Sequence, residues 1–354
     1  MINKGFEKLL YKSEEFIEIT KAIENKINPI NISGVSEAIA SHFAFSVAQK
    51  NKCSAIIVTA DGITANRIYD DIKFYNSECM LFLDKELIFY DVETAGNDIV
   101  SGRLQVLEYM LNNDNFIVVT TISALLSVTA DAKKYKEHQI TFVEGEDISE
   151  DITVKFETLG YKREEIVEGQ GQYCVRGGII DFYPFNSDLP YRVELFDTEV
   201  DTVRTFDPLT QRTVDRVSDV SVIPASEYIF TSETTNLLVD KLKDISCRVI
   251  DKGQIYRDIE MLENTGVFPS IDKYIPVIYG EKLPTLMDYT NRNTKFFFFE
   301  PFLISKSAEA MHTRIDETIT SFMEKGKIPS VNGQWVYNYN DALLRIEKKS
   351  LVGM

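Results

Sequence analysis

The sequence predicts an α/β protein in which an antiparallel sheet interrupts a parallel-sheet domain. Between residues 30 and 120, short apolar runs alternate with amphipathic stretches, and this alternation is typical of a parallel sheet covered by helices on both faces. Residues 171–213 instead hold extended runs separated by turn residues, which predict a hairpin-rich sheet. Helical patterning returns after Ile223, so we expect the second part of the α/β domain there.

Each element of the α/β domain follows from its own pattern. The run Ser54–Thr59 (SAIIVT) is largely apolar, which predicts a strand that is buried on both faces. The other predicted strands are Ile30–Ser33, Cys79–Leu83, Phe116–Thr120 and Lys295–Phe299. The predicted helices cover residues 1–30, 36–50, 63–75, 99–111, 148–159, 234–245, 255–264, 307–324 and 341–349. No closing element is expected after the last helix.

The central insert contains three expected extended runs, Tyr173–Phe182, Tyr191–Phe196 and Val200–Phe206. In the middle run, period-two alternation places Arg192, Glu194 and Phe196 on one face, which we expect to be solvated. Arg192 and Phe196 then lie about 13 Å apart on that face, at roughly 3.3 Å per residue.

Arg176 is a third candidate for the same surface. It precedes Gly177-Gly178, and paired glycines inside a strand indicate a bulge or a close backbone approach that could re-aim the arginine. An aromatic side chain flanked by arginines is the composition of a protein-binding hot spot. From the pattern alone, a solvated arginine and a phenylalanine at the edge of the core remain the more common explanation.

Residues 165–230 resemble the UvrA-binding domain that is shared by the excision-repair protein UvrB and the transcription-repair coupling factors. The resemblance is carried by VRGGIIDFYP, PYRVELFD, EVDTVRTFDPLTQRT and VIPASEYIF. Two flanking segments extend it to the coupling factors over nearly the whole chain, FYDVETAGNDIVSGRLQVLEYM and FIVVTTISALL. In that family, the arginine of the V-R-G step, the arginine after Pro-Tyr and the phenylalanine four residues later contact UvrA. The resemblance therefore implies a UvrA-binding role for Arg176, Arg192 and Phe196.

The resemblance also implies a domain organisation and a function. Residues 1–138 and 223–354 would form a degenerate P-loop-NTPase-like (RecA/UvrB-like) domain, and residues 139–222 would form the inserted α+β UvrA-binding domain. The chain would recruit UvrA, and so couple stalled RNA polymerase to nucleotide excision repair. Coupling factors are roughly three times this long, so we expect an N-terminal portion of one. RNA polymerase and DNA would be bound by domains beyond residue 354, and the C-terminal domain of the full-length protein would mask the UvrA-binding surface.

An ATP site is not expected, although the full-length proteins of the family are ATP-dependent DNA translocases. A phosphate-binding loop requires G-x-x-x-x-G-K-[ST], because its lysine and hydroxyl neutralise the phosphates and hold magnesium. At the corresponding turn the chain has Ser33-Gly34-Val35-Ser36-Glu37-Ala38, and Gly326-Lys327 is followed by isoleucine. The run Phe296–Phe299 leads to Glu300-Pro301 instead of to an Asp-Glu pair. We expect no catalytic residue and no cofactor.

Composition narrows the function further. The formal net charge of −17 opposes binding to nucleic-acid phosphates, which depends on clustered lysine and arginine. A weak DNA-binding module of a helicase-like repair protein remains the alternative. Neither the cysteines nor the histidines show metal-site spacing, so reduced, mostly buried thiols and ordinary histidines are expected. They are Cys53, Cys79, Cys174 and Cys247, and His42, His138 and His312. Without a membrane-length apolar run or a signal-peptide core, a cytoplasmic location follows.

Overall fold

The computed structural model of the chain describes residues 10–89, 97–148, 151–245, 252–328 and 332–354. The strands are β1 (Ile30–Asn31), β2 (Ala55–Thr59), β3 (Met80–Phe82), β4 (Ile117–Thr121), β5 (Ile140–Val143), β6 (Lys162–Arg163), β7 (Gln172–Arg176), β8 (Ile179–Phe182), β9 (Tyr191–Phe196), β10 (Glu199–Phe206), β11 (Thr213–Val217), β12 (Asp219–Val222), β13 (Lys295–Phe298) and β14 (Leu351–Gly353).

The α-helices alternate with these strands at both ends of the chain. They are α1 (Glu14–Glu24), α2 (Glu37–Asn51), α3 (Gly62–Tyr75), α4 (Asn97–Asn112), α5 (Ile122–Leu126), α6 (Ala132–Glu137), α7 (Ile152–Thr158), α8 (Ser232–Asp244), α9 (Lys252–Thr265), α10 (Ile275–Tyr279), α11 (Pro301–Glu324) and α12 (Tyr339–Glu347). Short 3₁₀ helices cover Leu10–Lys12, Pro269–Tyr274 and Leu286–Tyr289. The start of the predicted N-terminal helix (1–9) and Cys247 lie outside the described residues.

A parallel sheet forms the body of the protein. Within the described ranges its strand order is β1-β14-β13-β2-β4-β3, and every pairing is parallel. Both faces are apolar because helices cover both of them. Ile56 and Val58 point into a core shared with α4, α5 and α11, whereas Ala55 and Ile57 point into a core shared with α1, α2 and α3. The predicted α/β architecture with a separate antiparallel sheet is confirmed.

The two ends of the chain differ from the sequence expectation. The expectation that nothing closes the chain after the last helix was wrong, because β14 pairs with both β1 and β13 in the parallel sheet. A run of three residues is too short for its sequence pattern to predict a strand. Leu351–Gly353 form a strand because they pair with a neighbouring strand on each side. The predicted helix over residues 1–30 was also too long, since α1 begins after Ser13, whose side chain accepts from Phe16 N, and ends at Glu24.

An antiparallel sheet forms the insert, with strand order β11-β10-β9-β8-β7-β6 in the part of the chain that the structure describes. Its β6–β7 pair alone is parallel. The run Tyr173–Phe182 was predicted as one extended segment, and that was wrong: it is a hairpin in which β7 and β8 are joined at Gly177-Gly178. Gly177 has φ +60°, where glycine is favoured. The predicted close backbone approach is confirmed, since a Cβ added at Gly178 would lie 2.9 Å from Leu195 O.

One face of this sheet is buried and the other is open. Helix α7 and the antiparallel β5–β12 pair cover the buried face, where aromatic side chains stack, as Phe156 does on Tyr173 with ring centroids 4.9 Å apart. The opposite face, which we call the open face, carries a small buried apolar cluster of Val167, Cys174 and Phe206, with Tyr183 beside it. An antiparallel sheet with one solvated face alternates apolar and polar residues along each strand, as the sequence of β9 does.

The insert is joined to the body by apolar contacts and by ion pairs. Phe185 leaves the antiparallel sheet and packs in the core of the body, and its carbonyl accepts hydrogen bonds from the side chains of Gln105 and Ser101. Where the chain returns, Arg103 Nη2 lies 2.9 Å from Glu227 Oε1 and Lys85 Nζ lies 3.0 Å from Glu227 Oε2. These contacts fix both ends of the insert on helix α4 and the loop after β3.

Candidate protein-docking site

The open face is built by the register of four adjacent strands. Cys174, Asp181, Arg192 and Arg204 are paired across β7, β8, β9 and β10, so their side chains share this face. The predicted alternation in β9 is confirmed, because Val193 is fully buried while its neighbours Arg192 and Glu194 are only half-buried. The sheet therefore presents a row of charged side chains on a rigid backbone.

Phe196 lies on the same face, four residues along β9 from Arg192, and is the most exposed phenylalanine of the open face, with 79% of its surface accessible. It is the last residue of β9, directly before Asp197, which has φ +57° in the turn to β10. Ile179 pairs with Glu194 and is also exposed, so it is a diagonal neighbour of Phe196 across the two strands. A phenylalanine side chain this exposed gains no stabilisation from packing in the core, so its apolar surface is available to a partner protein.

Arg176 and Arg192 converge on one buried carboxylate, that of Asp181. Arg192 donates from Nε to Asp181 Oδ1 at 2.6 Å and from Nη2 to Oδ2 at 2.8 Å, and Arg176 donates from Nη2 to Oδ2 at 2.6 Å. Asp181 is only 1% exposed, whereas the side chains of Arg192 and Arg176 are 20% and 49% exposed. The carboxylate is therefore buried against the two guanidinium groups, while both arginine side chains stay partly exposed.

Arg192 also contacts Phe206 and Gln211. Its Cζ lies 4.7 Å from the ring centroid of Phe206, which is buried with Cys174 and Val167. Its Nη2 also donates to Gln211 Oε1 at 3.3 Å. The hydrogen bonds to Asp181 raise the pKa of Arg192 above its usual value, although partial burial opposes this. The guanidinium thus keeps its charge and a fixed plane, as a stacked, bidentate arginine does.

Gln211 belongs to the turn 207–212 that closes one end of the open face. Asp207 Oδ1 accepts from the backbone N–H groups of Leu209 and Thr210 and from the Thr210 hydroxyl. These bonds, led by those from Thr210, lower the pKa of Asp207. Gln211 has φ +60°, and its side chain donates to Val167 O at 3.2 Å and Pro208 O at 2.8 Å. The turn carries an exposed Leu209 at its tip.

The charges around Asp181 do not cancel. Arg204 Nη2 lies 3.2 Å from Glu194 Oε2, so these two charges balance each other, whereas Arg176 and Arg192 share the single carboxylate of Asp181. This cluster of three side chains carries one net positive charge, on a chain whose net charge is −17. This local excess favours a partner that brings an acidic group next to an apolar surface for Phe196.

Sequence reasoning placed three residues on this face and missed two residues that hold its arginines in place. Arg176, Arg192 and Phe196 all reach the open face, and Asp181 and Gln211 were not predicted. A signal for Asp181 was present, because a carboxylate inside the apolar run Ile179-Ile180-Asp181-Phe182 must find a cationic partner when it is buried. Gln211 gives no such signal, since its contact with Arg192 depends on how the turn folds back.

Metal ligands, membrane-spanning helices and thiols were each searched for in the described ranges. No group of three or more His, Cys, Asp or Glu side chains in the described ranges could hold a metal ion. No helix in the same ranges is long and apolar enough to cross a membrane. Three of the four cysteines, Cys53, Cys79 and Cys174, are buried free thiols, as predicted. Burial raises the pKa of Cys53 to about 11 and that of Cys79 to about 12.

Comparison with known proteins identifies the family that the insert resembles. Residues 140–228 match the family model described as "UvrB interaction domain". This match includes the strands that carry Arg176, Asp181, Arg192 and Phe196.

Curated relatives resemble the chain over most of its length. The transcription-repair-coupling factor of Bacillus subtilis (strain 168) is 28% identical over 338 residues, which cover 92% of this chain and 29% of the relative. That of Staphylococcus epidermidis (strain RP62A) is 28% identical over 327 residues, covering 89% of the chain and 28% of the relative. That of Staphylococcus aureus (strain bovine RF122) is 26% identical over 351 residues, covering 96% and 30%. The chain spans less than a third of the length of these relatives, and its resemblance to the coupling factors is confirmed.

Proposed function

We propose that this chain is a non-catalytic recruitment module that binds UvrA through Arg176, Arg192 and Phe196. The observation that carries the proposal is the exposed Phe196 on the same face as two arginines whose side chains are partly exposed and share one buried carboxylate. The match to the UvrB interaction domain supports UvrA as the partner, because UvrA is the protein that UvrB-type docking domains bind in the family that the sequence resembles.

The two kinds of side chain contribute differently to such an interface. Burying a phenylalanine side chain stabilises a complex by about 1.5–3 kcal/mol through its apolar surface. The arginines add directional hydrogen bonds to carboxylates, which set the orientation of the partner and speed its association. The rigid sheet backbone limits the entropy lost on binding. Together they form a small hot spot, and the surrounding open face excludes water from it.

In the longer proteins, we propose, this module delivers UvrA to sites where RNA polymerase has stalled. The names of the relatives, transcription-repair-coupling factors, support a role in that coupling. ATP-driven DNA translocation, polymerase binding and DNA binding would then belong to other parts of the longer protein. The C-terminal domain of the full-length protein would cover the same surface in its resting state. A cytoplasmic location is part of this proposal.

A degenerate UvrB-like ATPase domain accounts best for the body. In open parallel sheets, ligands bind at the carboxyl ends of the strands. There the turn Ser33–Ser36 leads into α2 without a lysine, and the helices that follow β2 and β13 begin with exposed Ile63 and Phe302. Apolar side chains at this edge support a body that no longer holds a nucleotide.

Calorimetric titration of UvrA with alanine variants tests the proposal. We expect Arg176→Ala, Arg192→Ala and Phe196→Ala each to weaken binding by about 1–4 kcal/mol, as hot-spot residues do, and to leave the circular dichroism spectrum unchanged. Phe302→Ala is a matched control, because Phe302 is an equally exposed phenylalanine on the body. Arg345→Ala, whose partner Asp288 also lies on the body, is the control for the arginines. Wild-type affinity in all three open-face variants would contradict the proposal.

A further inference from the structure

We propose that Asp181 is a positioning residue for this docking site: it fixes Arg176 and Arg192 as a ready-oriented pair of donors, which a carboxylate of the partner then meets. The inference rests on the proposed function, since it names what prepares the same surface for its partner. Asp181 itself is 1% exposed and therefore does not reach the partner.

The geometry leaves each arginine with donors to spare. Arg192 binds both oxygens of Asp181 through Nε and Nη2, and its Nη1 donates no hydrogen bond to any residue that the structure describes. Arg176 reaches Asp181 with Nη2 alone, and its Nη1 lies 3.5 Å from Glu165 O. A guanidinium has five N–H donors in a fixed fork. Fixing one edge on Asp181 therefore aims the other edge at the solvent.

Asp181 has two opposite effects on binding, and its burial determines which effect is larger. As an anion it competes with a partner carboxylate for the arginines, but their exposed edges are outside its reach. Without it, two guanidinium groups of like charge would be adjacent and free to rotate, and each rotamer-rich side chain would have to be ordered during binding. The extra positive charge gained by removing Asp181 would lie near solvent, where screening by salt makes it worth little. Pre-orientation therefore outweighs competition.

The shape of the site also indicates what the partner offers. Two arginines that share one carboxylate carry a single net positive charge, so one partner carboxylate balances them. Phe196 and Ile179 lie at the Arg176 end of the face. We infer that the partner surface presents one aspartate or glutamate beside an apolar pocket that takes the Phe196 ring.

Asp181→Asn in the full chain tests the inference by titration against UvrA. Asparagine keeps the size of the side chain but replaces one acceptor oxygen with an amide that faces the arginine donors. We expect at least tenfold weaker binding in this variant. In a background that already carries Arg176→Ala and Arg192→Ala, the same substitution should change affinity less than twofold, because a positioning residue acts only through the groups it positions. Unchanged or tighter binding by Asp181→Asn, or an equal loss in both backgrounds, would overturn the inference.

A second readout does not involve UvrA. The Nε–H proton of Arg192 is donated to a buried carboxylate, so its NMR signal should exchange slowly with water in the wild type and at least tenfold faster in Asp181→Asn. Equal exchange in the two proteins would overturn the positioning role. If the wild-type chain fails to bind UvrA while this difference is seen, the proposed function is wrong and the arrangement of the arginines still stands.

Arg192→Lys covers the case in which Asp181→Asn does not fold. Lysine keeps the charge and can still pair with Asp181, so the sheet should remain intact, but it cannot occupy both oxygens and present a second edge at once. We expect at least tenfold weaker UvrA binding for this variant. Wild-type affinity would mean that a point charge suffices, and the role assigned to Asp181 would be excluded.

Discussion

Asp181 and Glu227 are both buried carboxylates, and each is balanced by two cations. Around Glu227 both cations are enclosed: Arg103 is fully buried and donates to Leu83 O, Ser127 Oγ and Val128 O as well, and Lys85 is largely buried. Around Asp181 the two arginines reach the surface. A buried carboxylate bound by two cations therefore stabilises the fold at Glu227, whereas at Asp181 the same arrangement lies at the surface and can contact a partner.

Acid should weaken the fold through Glu227. Burial on its own raises the pKa of Glu227, but the charges and hydrogen bonds of Arg103 and Lys85 outweigh it and lower that pKa. A carboxyl group whose pKa is lowered in the folded state contributes stability above its unfolded pKa, about 4.3, and this contribution is lost as pH falls through the folded value. Above pH 5 we expect Glu227→Gln to lower the free energy of unfolding by about 3 kcal/mol, because buried Arg103 loses its carboxylate partner and Lys85 keeps only Asp272.

Urea unfolding at pH 7 and at pH 3.5 measures this effect. The difference between wild type and Glu227→Gln should be smaller at the lower pH, because pH 3.5 lies below the ordinary glutamate pKa of about 4.3, so the unfolded chain takes up a proton at Glu227 and is stabilised relative to the folded state. Glu194→Gln is the control, since Glu194 pairs with Arg204 at a half-exposed site and such pairs are worth about 0–1 kcal/mol. A difference that stays constant over this pH range would show that the charge of Glu227 is not what stabilises the fold.

At the level of single elements, the hairpin of β7 and β8 determines where Arg176 points. Gly178 lies against Leu195 O of β9, so the turn has no room for a side chain there, whereas nothing lies within 4 Å of a Cβ added at Gly177. We expect Gly178→Ala to destabilise the insert by about 1–3 kcal/mol, because the backbone of β9 must move. Gly177→Asn should cost less than about 1 kcal/mol, since asparagine tolerates a positive φ.

Urea unfolding of the two glycine variants, with UvrA binding measured in parallel, checks this prediction. Gly178→Ala should also weaken binding, because the β8–β9 contact that it disturbs carries Asp181 and Arg192. Equal stabilities for the two variants would mean that the close approach at Gly178 contributes nothing to the hairpin.

The sequence predicted the elements whose pattern is strong and missed those that depend on neighbours. β2, β4 and α3 were predicted because an apolar run or a helical stripe is visible within the element itself. β14, β6 and β11 are short or exposed, so their strand state comes from pairing. The exposed residues of the candidate site follow from alternation in β9 and from the family resemblance. The apolar run around Asp181 signals a buried carboxylate, but identifying its two arginine partners required the register of β8 against β7 and β9, which no single segment contains.

At the scale of the whole molecule, the body and the insert are in contact, but each has a core of its own. Phe185 packs in the core of the body. Its ring also packs closely against Gly171 of the insert, where an added Cβ would lie 3.2 Å from the ring. The insert also has a core of its own, built around Phe156, Phe182 and Val193. The body thus supports the insert from one end, and the open face is supported mainly by the insert itself.

Phe185→Ala separates these two roles. Removing a buried phenylalanine ring costs about 3–5 kcal/mol, and here the lost contacts join the insert to the body. We therefore expect one calorimetric unfolding transition in the wild type and a broadened or split transition in Phe185→Ala. UvrA affinity should stay within about twofold of wild type, because Arg176, Asp181, Arg192 and Phe196 are held by the sheet. Phe302→Ala, at an exposed position, should change neither measurement. If Phe185→Ala lost UvrA binding as completely as Phe196→Ala, the docking surface would depend on the body, and the insert could not be regarded as an independent binding unit.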